Sequence, residues 1–353
     1  MSSKKKLISI IIFFISIIIL IFVYNDDFLY SKQIVKITKI DTISEETSQN
    51  SLGLEEKYYM RKITGIVTNG KQKGNKKIIS YDESYSSVVT DKYKVNDKII
   101  LDASGIELKR DFYLTLMIVI FLNLLYIVGS YKGLLSVLSV VLNLVIFYIG
   151  LALYFKGINL LFLCVIEMII FSIISLILAS GLNKKTLSAI ISVIISTLVM
   201  LITIVIIINL TGYKGINFNE LSFLTVPIED IILPELLIGS TGAIMDVAIT
   251  ISASISELIQ KDNNISVKNL KKSAREIGKD IMSTMSNVLF FTYLCSGLPI
   301  FVLALRNGFS MYNYISTNFT LELTRFLIGS IGIVLTIPVS AHISIKLMKR
   351  GVK

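Results

Sequence analysis

Long apolar blocks alternate with shorter polar segments along most of the chain. The first block covers residues 7–23, and seven more follow at 113–130, 133–155, 158–181, 186–209, 231–257, 285–305 and 322–346. An α-helix needs about 20 predominantly apolar residues to cross the hydrocarbon core of a bilayer, and most of the blocks are close to that length. The pattern predicts an α-helical integral membrane protein with about eight transmembrane helices.

The first apolar block follows Lys4, Lys5 and Lys6 and ends in Tyr-Asn-Asp-Asp without a small-x-small cleavage site. A secretory signal peptide is the competing interpretation, but the block is longer than the usual apolar part of such a peptide. We therefore expect residues 1–24 to be a retained membrane anchor.

Residues 25–111 form the one long polar region. Within it, segments 33–40, 61–70, 76–82 and 97–109 alternate apolar and polar residues or carry short β-branched runs, separated by Gly, Asn and Asp. These features are typical of strands joined by turns. We expect a small β-rich domain, and a barrel of the OB or SH3-like kind is the hypothesis for its fold.

Lysine and arginine are unevenly divided between alternate loops. If the N-terminus is inside, the short outer loops hold only Lys156, Lys214 and Arg306, whereas the inner loops hold Lys132, Lys184, Lys185 and the lysines and arginines of 261–279 and 346–353. The positive-inside rule then predicts cytoplasmic N- and C-termini, and it places the β-rich domain outside the cytoplasm. The inner segment 266–284 has apolar residues at steps of three and four between basic residues, so we expect a basic amphipathic helix, with an interfacial anchor favoured over a partner-binding helix.

The composition narrows the function. The net charge is +10, but the basic residues flank apolar blocks, which favours a role in membrane orientation over nucleic-acid binding. With two cysteines in apolar blocks, one histidine and no tryptophan, the chain shows no zinc or disulfide pattern. We predict no cofactor, the pattern names no metal, and a soluble type of enzyme is disfavoured.

An acidic residue, Asp246, lies near the middle of the block 231–257. At 100° per residue it shares one helix face with small and polar residues: Glu235, Gly239, Gly242, Thr250, Ala253 and Glu257. Such a face suits either close contact with another helix or exposure to a solute pathway. The second interpretation is favoured because intramembrane acids are usually functional.

Glu167 is a second acid, midway along the block 158–181. Because the predicted helices contain two acids and few bases, a cation or a proton is favoured as the species that the acids bind. The alternative for Glu167 is a protonated carboxyl that donates one hydrogen bond. The same site is expected to include three neutral neighbours: Asn287 and Tyr293 in the block 285–305 and Thr336 in the block 322–346.

Two of the apolar blocks resemble each other. "LLIGSTGAIMDVAIT" at 236–250 aligns with "FLIGSIGIVLTIPVS" at 326–340 at an offset of 90, which pairs Glu235 with Arg325 and Asp246 with Thr336. One block and the inner loop separate them, so we expect two helices that run in the same direction. Chance similarity between Ile-rich helices is the alternative.

Intramembrane proteases are disfavoured by the same segments. In "GSTG" and "GSIG", Thr241 and Ile331 occupy the position of the serine in rhomboid-like proteases, and "GAIMD" is not the Gly-x-Gly-Asp turn of intramembrane aspartyl proteases. We expect a protein that is not an enzyme.

Several ordered motifs carry a family resemblance. "LLIGSTGAIMDVAITISASISEL", "GKDIMSTMSNVLFFTY", the Leu-Pro at 298–299 and "GSIGIVLTIPVSA" together resemble the YibE/F family of bacterial multi-pass membrane proteins. The resemblance covers the chain from about Arg110 onward and, more loosely, the region before it. It implies a bacterial plasma-membrane protein with a glycine-rich Asp motif at Gly239, Gly242 and Asp246. The polar stretch 41–56 departs from the family pattern, and we interpret it as a flexible linker.

These observations favour a permease, or permease-like component, that moves a small solute or cation through a helical bundle with a central carboxylate. The alternative is a non-transporting scaffold that presents the β-rich domain to an envelope partner. Besides the lipid bilayer, the expected partners are the solute, cation or proton, a second copy of the chain, or that envelope partner. The residues expected to bind substrate or ion are Asp246, Gly239, Gly242, Thr250, Glu167, Asn287, Tyr293 and Thr336.

Overall fold

The computed structural model describes residues 3–49, 55–87, 90–102, 105–218, 225–317 and 319–349. Six helices in these ranges are long and apolar enough to cross a membrane, and an antiparallel sheet precedes them in the chain. The predicted class, a helical membrane protein with an early β domain, is therefore confirmed. The chain divides into two compact units, Met1–Leu134 and Leu135–Lys353.

The first unit begins with helix α1, Ser3–Tyr24, and a single 3-10 turn, Asp26–Leu29. A five-stranded antiparallel sheet follows, with the order β3-β2-β1-β4-β5. Its strands are β1 Gln33–Gln49, β2 Glu55–Val67, β3 Lys76–Ser84, β4 Lys98–Asp102 and β5 Gly105–Leu108. Every predicted strand segment contributes to this sheet. Because β3 and β5 each pair with one neighbour, the described strands form an open sheet, and the barrel hypothesis is wrong.

The core of the sheet lies on one face, where Val35, Ile37, Ile63 and Ile99 are fully buried. These residues come from the alternating segments that the sequence pattern identified. Gly65 in β2 is required by the close approach of β1, since a Cβ there would lie 2.7 Å from the carbonyl oxygen of Lys36. The central pair of strands is thus packed more closely than a side chain at position 65 would permit.

The interpretation of residues 41–56 as a flexible linker is wrong for the part that the structure describes. β1 continues to Gln49 and pairs with β2 from Glu55 onward, so that both strands extend as the arm of a long hairpin. The arm is exposed on both faces, and a cross-strand ion pair joins Lys57 to Glu45 at 2.7 Å. Without a buried face, the arm has no hydrophobic alternation by which a strand could be recognised.

A buried ionic cluster lies where the polar region meets its flanking helices. The Nζ atom of Lys109 is 2.5 Å from Asp26 and 2.9 Å from Asp111, and Lys109 is 4% exposed. Burial alone would lower the pKa of Lys109, but its hydrogen bonds to Asp26 and Asp111 outweigh burial and raise that pKa. The cluster ties the segment after α1 to the start of the next helix.

Helix α2, Asp111–Tyr154, consists of two segments that meet at Ser130. Its 44 residues would extend about 66 Å as one straight helix, roughly twice the hydrocarbon thickness of a bilayer. Ser130 has φ 51° and ψ −136°, and a Cβ on Gly133 would lie 2.5 Å from the carbonyl oxygen of Leu125. Residues eight apart in a straight helix are about 12 Å apart, so the chain folds back at Ser130. The break falls between the predicted blocks 113–130 and 133–155.

The second unit is a helical bundle. After the second segment of α2 come α3 Leu160–Ser180, α4 Lys184–Thr211, α5 Ile228–Lys261, α6 Val267–Arg306, the short α7 Met311–Thr317 and α8 Thr320–Lys349. Side chains of Asn159, Asn183 and Ser266 accept hydrogen bonds from backbone N–H groups in the first turns of α3, α4 and α6 and fix where those helices begin.

The core of the bundle lies among α4, α5 and α8. Met200, Ile204 and Ile244 are essentially fully buried there, and α3 packs against α4 and α5. Helix α6 contains both the predicted amphipathic segment 266–284 and the following apolar block as one continuous helix. Leu270 and Ala274 on its apolar side are buried in a cluster with residues of α5 and α8. In the isolated chain, that side of α6 therefore packs within the bundle.

Candidate functional site

Helices α5 and α8 lie side by side and run parallel. Near their beginnings Arg325 forms an ion pair with Glu235, and near their ends the hydroxyls of Ser252 and Ser344 are 2.9 Å apart. The common direction expected from the internal similarity is therefore observed. The offset of 90 also paired Glu235 with Arg325, and these two residues do meet.

One face of α5 is exposed along the middle of the helix. It carries Gly239, Gly242, Asp246 and Thr250, four of the residues expected in the site. We call it the polar face of α5. The Thr250 hydroxyl donates to the backbone carbonyl of Asp246 at 2.7 Å. Within the described ranges no side chain or backbone group hydrogen-bonds to the Asp246 carboxylate, which is free to meet a ligand, water or another chain.

A polar cavity of about 340 Å³ lies at one end of the polar face, between α5, α6 and α8. Its lining residues are mostly charged or hydroxyl-bearing: Glu235, Gly239, Thr292, Tyr293, Ser296, Glu322 and Arg325. We call it the acidic cavity, because its two carboxylates face one guanidinium. It lies near the start of α5, the end of α6 and the start of α8.

Arg325 organises the acidic cavity. Its guanidinium forms ion pairs with Glu235 on α5 and with Glu322 one turn earlier on α8. Glu322 is 4% exposed and lies within reach of the Ser296 hydroxyl, and the Nε atom of Arg325 is buried without a hydrogen-bond partner among the described residues. The cavity holds one more carboxylate than guanidinium, which leaves it with capacity to bind a further polar or cationic group.

Gly239 and Tyr293 line the acidic cavity together. A Cβ on Gly239 would lie 3.1 Å from the hydroxyl oxygen of Tyr293, so glycine here leaves room for the tyrosine ring between α5 and α6. These are the two sequence-predicted site residues that the cavity brings together. Gly242, Asp246 and Thr250 continue from Gly239 along the same face of α5.

The other three predicted site residues lie elsewhere. Asn287 is exposed on α6 and does not line the acidic cavity. Thr336 is fully buried in α8, and its hydroxyl donates to the carbonyl of Gly332 at 2.7 Å. Glu167 is 4% exposed on α3 and points at α2, where a Cβ on Gly150 would collide with its carboxylate. No group in the described ranges forms a hydrogen bond or ion pair with Glu167.

Sequence reasoning missed Glu322, Thr292 and Ser296. A signal for Glu322 was present, since it precedes Arg325 by three residues, the spacing of an ion pair on one helix face. Thr292 lies one residue before the predicted Tyr293, and Ser296 lies three residues after it. Small polar residues are common in membrane helices, and neither position stood out without knowledge of the neighbouring helix.

A line of buried hydroxyls was also missed. Ser188, Ser192 and Ser196 recur at every fourth position of α4, and Thr336, Ser340 and Ser344 do so on α8; all are fully buried. The Ser344 hydroxyl lies 3.3 Å from that of Ser188. Small residues at this spacing let membrane helices approach closely, so these residues account for the packing of α4 against α8.

The donor set of the site is made of carboxylate, hydroxyl and guanidinium groups. Among the residues that the structure describes, no group of three or more His, Cys, Asp or Glu side chains is arranged to hold a metal ion. The acidic cavity and the polar face can bind and orient a small polar or cationic species through charge and hydrogen bonds.

Comparison with protein families gives two matches that together cover most of the chain. Residues 117–350 match a model described as YibE/F-like protein, and residues 28–116 match a model described as YibE/F family N-terminal domain. The border between the matches lies in the first turns of α2. No curated protein and no solved structure matches the chain.

Proposed function

The chain belongs to the YibE/F family, and we propose that it is a permease, or a permease-like component, that moves a small solute or cation through its helical bundle. The observation that carries the proposal is the acidic cavity and its continuation along α5 through Gly239, Gly242 and Asp246. A polar surface of this kind is costly within a membrane and is usually retained for function.

The length of the polar face fits a solute path. Glu235 and Asp246 are eleven residues apart, about 16 Å along the helix axis, which is roughly half the hydrocarbon thickness of a bilayer. A species that leaves the acidic cavity along α5 would therefore reach the carboxylate of Asp246 near the middle of the membrane. Glu257, also exposed, lies three turns farther along the helix.

The charges along this path favour a cation or a proton. The acidic cavity holds two carboxylates and one guanidinium, and Asp246 adds a carboxylate that no described group pairs. A carboxylate that faces hydrocarbon costs about 2.5–3.5 kcal/mol on insertion scales, so the polar face requires a hydrated second wall. A second copy of the chain, with its own α5 opposite, would supply such a wall.

The location follows from the charge of the loops. We place the protein in a bacterial plasma membrane with both termini in the cytoplasm, because the lysines and arginines of the short loops concentrate on one side. The acidic cavity then lies near the outer surface and Glu257 near the inner one. The same loop charges lead us to propose that residues 25–111 lie outside the cytoplasm.

Ion and solute flux in proteoliposomes tests the proposal. The full chain is reconstituted, and uptake of monovalent cations, divalent cations, protons and small polar solutes is measured for the wild type and for Asp246→Asn. We expect Asp246→Asn to lower flux of the transported species at least about tenfold, since the substitution removes the central charge while keeping the side-chain size.

Asp262→Asn is the matched control. Asp262 follows α5, and its side chain accepts a hydrogen bond from the Asn264 backbone, which an asparagine oxygen would also accept. Flux should be unchanged in this variant. Background flux of every species in the wild type, or equal flux in wild type and Asp246→Asn, would contradict the proposal.

One observation favours the scaffold as a second candidate. The arm formed by β1 and β2 is exposed on both faces. The edge of β1 opposite β2 pairs with no described strand after Ile37. An extended, charged arm of this kind suits contact with another protein. If deletion of residues 42–60 abolishes the cellular function while flux stays normal, the scaffold role is favoured over the permease.

A further inference from the structure

A second cavity, of about 450 Å³, lies between the first half of α6 and residues 334–342 of α8. Its polar lining comes from four residues that carry basic side chains: Lys271, Arg275, Lys279 and His342. We call it the basic cavity. It lies toward the end of the bundle where α6 begins and α8 ends, whereas the acidic cavity lies toward the opposite ends of the same helices. Its volume is within the range of ligand clefts.

The basic residues of α6 form one row. Lys271, Arg275 and Lys279 are spaced four residues apart, so they project from the same face over about 12 Å of helix. Lys279 also pairs with Glu276 at 3.0 Å. In the described part of the chain neither Lys271 nor Arg275 has an acidic partner, so the cavity keeps a net positive charge that a bound anion would neutralise.

The deeper lining of the basic cavity is apolar. Met282 follows the basic row on α6, and Val334 and Ile337 lie on α8. Helices α6 and α8 run antiparallel, since Gly278 early in α6 packs on Ile337 late in α8, and Gly329 early in α8 packs on Leu289. At this side of the bundle, where α6 begins and α8 ends, both helices therefore carry basic groups. Their apolar groups lie farther toward the middle of each helix.

We propose that the basic cavity binds an anionic phospholipid. Its phosphate would lie against Lys271 and Arg275, and an acyl chain would follow Met282, Val334 and Ile337 toward the membrane interior. A free phosphate shares the headgroup chemistry, but it makes no use of an apolar floor. Basic cavities between membrane helices at the cytoplasmic side suit acidic headgroups, and the loop charges predict that side for this end of the bundle.

Native mass spectrometry of the detergent-purified full chain tests the proposal. Phosphatidylglycerol, phosphatidylcholine with the same acyl chains, and inorganic phosphate are titrated separately. We expect tighter binding of phosphatidylglycerol than of phosphatidylcholine. The double variant Lys271→Gln/Arg275→Gln should weaken phosphatidylglycerol binding about tenfold or more, because each basic group near an anionic headgroup contributes a several-fold effect.

Lys268→Gln/Lys272→Gln is the matched control, since it removes the same number of charges from exposed positions of α6 that do not line the cavity. Its binding should change by less than about threefold. Lys271→Arg, which keeps the charge, should bind as the wild type does. Equal losses in both double variants, equal binding of the two lipids, or phosphate binding as tight as lipid binding would each overturn the proposal.

Discussion

The segments 236–250 of α5 and 326–340 of α8 are similar in sequence, yet they are packed differently. In α8, Gly329 and Gly332 are buried, and a Cβ on Gly332 would lie 2.8 Å from the sulfur of Met200. In α5, the matching Gly239 and Gly242 are exposed, and no described atom lies within 4 Å of where a Cβ on Gly242 would be. One motif is used for close helix packing and the other leaves a surface open.

The same division holds at the position of the acid. Asp246 is exposed on α5, whereas its counterpart Thr336 on α8 is fully buried and bonds to its own helix. Helix α8 packs against α4, α5 and α6 with its glycine face buried, whereas α5 packs against α3, α4, α6 and α8 and leaves its glycine face exposed. The small and polar residues of the α8 motif are therefore buried in contacts with neighbouring helices. The difference teaches that the side of a helix on which its neighbours pack, and not the motif, decides whether a glycine face is available for function.

Exchanging the side chains at positions 246 and 336 should give the largest difference in stability between the two helices. Thr336→Asp places a carboxylate among buried residues without a partner, and we expect a loss of several kcal/mol of stability, enough to prevent folding. Asp246→Thr should leave the melting temperature in detergent within a few degrees of the wild type, because position 246 is exposed. The measurement is thermal unfolding of purified protein together with the yield of monodisperse material. A well-folded Thr336→Asp variant would show that α8 does not have the buried face described.

Removing the guanidinium of Arg325, which joins α8 to Glu235 on α5, should have the next largest effect on stability. Arg325→Gln leaves Glu322 buried without its ion pair, and breaking such a pair costs about 3–5 kcal/mol when the remaining charge is fully buried. We expect a smaller loss, about 2–3 kcal/mol, since Glu235 is partly exposed and can be hydrated.

Two variants control for this effect, with thermal unfolding again as the measurement. Arg306→Gln removes an exposed guanidinium at the end of α6 and should be neutral. Combining Arg325→Gln with Glu322→Gln should recover part of the lost stability, because no unpaired charge then remains at position 322. If the double variant is less stable than Arg325→Gln alone, Glu322 has another partner that matters more than Arg325.

Much of the fold could be predicted from hydrophobic pattern alone. The apolar blocks became helices, and the strand segments at 33–40 and 76–82 lie within β1 and β3. The arm of β1 and β2 could not be predicted, since strand pairing there depends on a partner strand and buries no face. The reversal within α2 was predicted as a loop between the blocks 113–130 and 133–155, but nothing in the sequence specifies the backbone conformation of Ser130.

The candidate site was predictable only along a single helix. The 100° periodicity placed Gly239, Gly242, Asp246 and Thr250 on one face of α5, and that face is the exposed one. Which residues meet across helices depends on rotation and crossing, which periodicity does not determine. Glu167 and Thr336 were therefore grouped with Asp246 although the structure places them on other surfaces, and Glu322 was overlooked.

The glycines themselves allow a direct test of the comparison. Gly332→Ala forces a methyl group against Met200 and Ile244, and overpacking of this kind costs about 1–3 kcal/mol. Gly242→Ala meets nothing, so it should be neutral or stabilise by up to about 1 kcal/mol through helix propensity. Both variants gain the same propensity, and the difference between their free energies of unfolding therefore reports packing alone. Equal stabilities would mean that the two motifs are equally open.

Gly239→Ala should give the smallest change in stability. The new methyl group would contact the hydroxyl of Tyr293 at 3.1 Å, which a shift of a few tenths of an ångström relieves, so we expect an effect below about 1 kcal/mol. Tyr293→Phe removes that oxygen, so Gly239→Ala should no longer lower stability when it is combined with Tyr293→Phe. Because the methyl group enters the acidic cavity, Gly239→Ala should still lower flux in proteoliposomes, and Tyr293→Phe should restore part of it. A variant that loses stability but keeps full flux would place the solute path away from the polar face of α5.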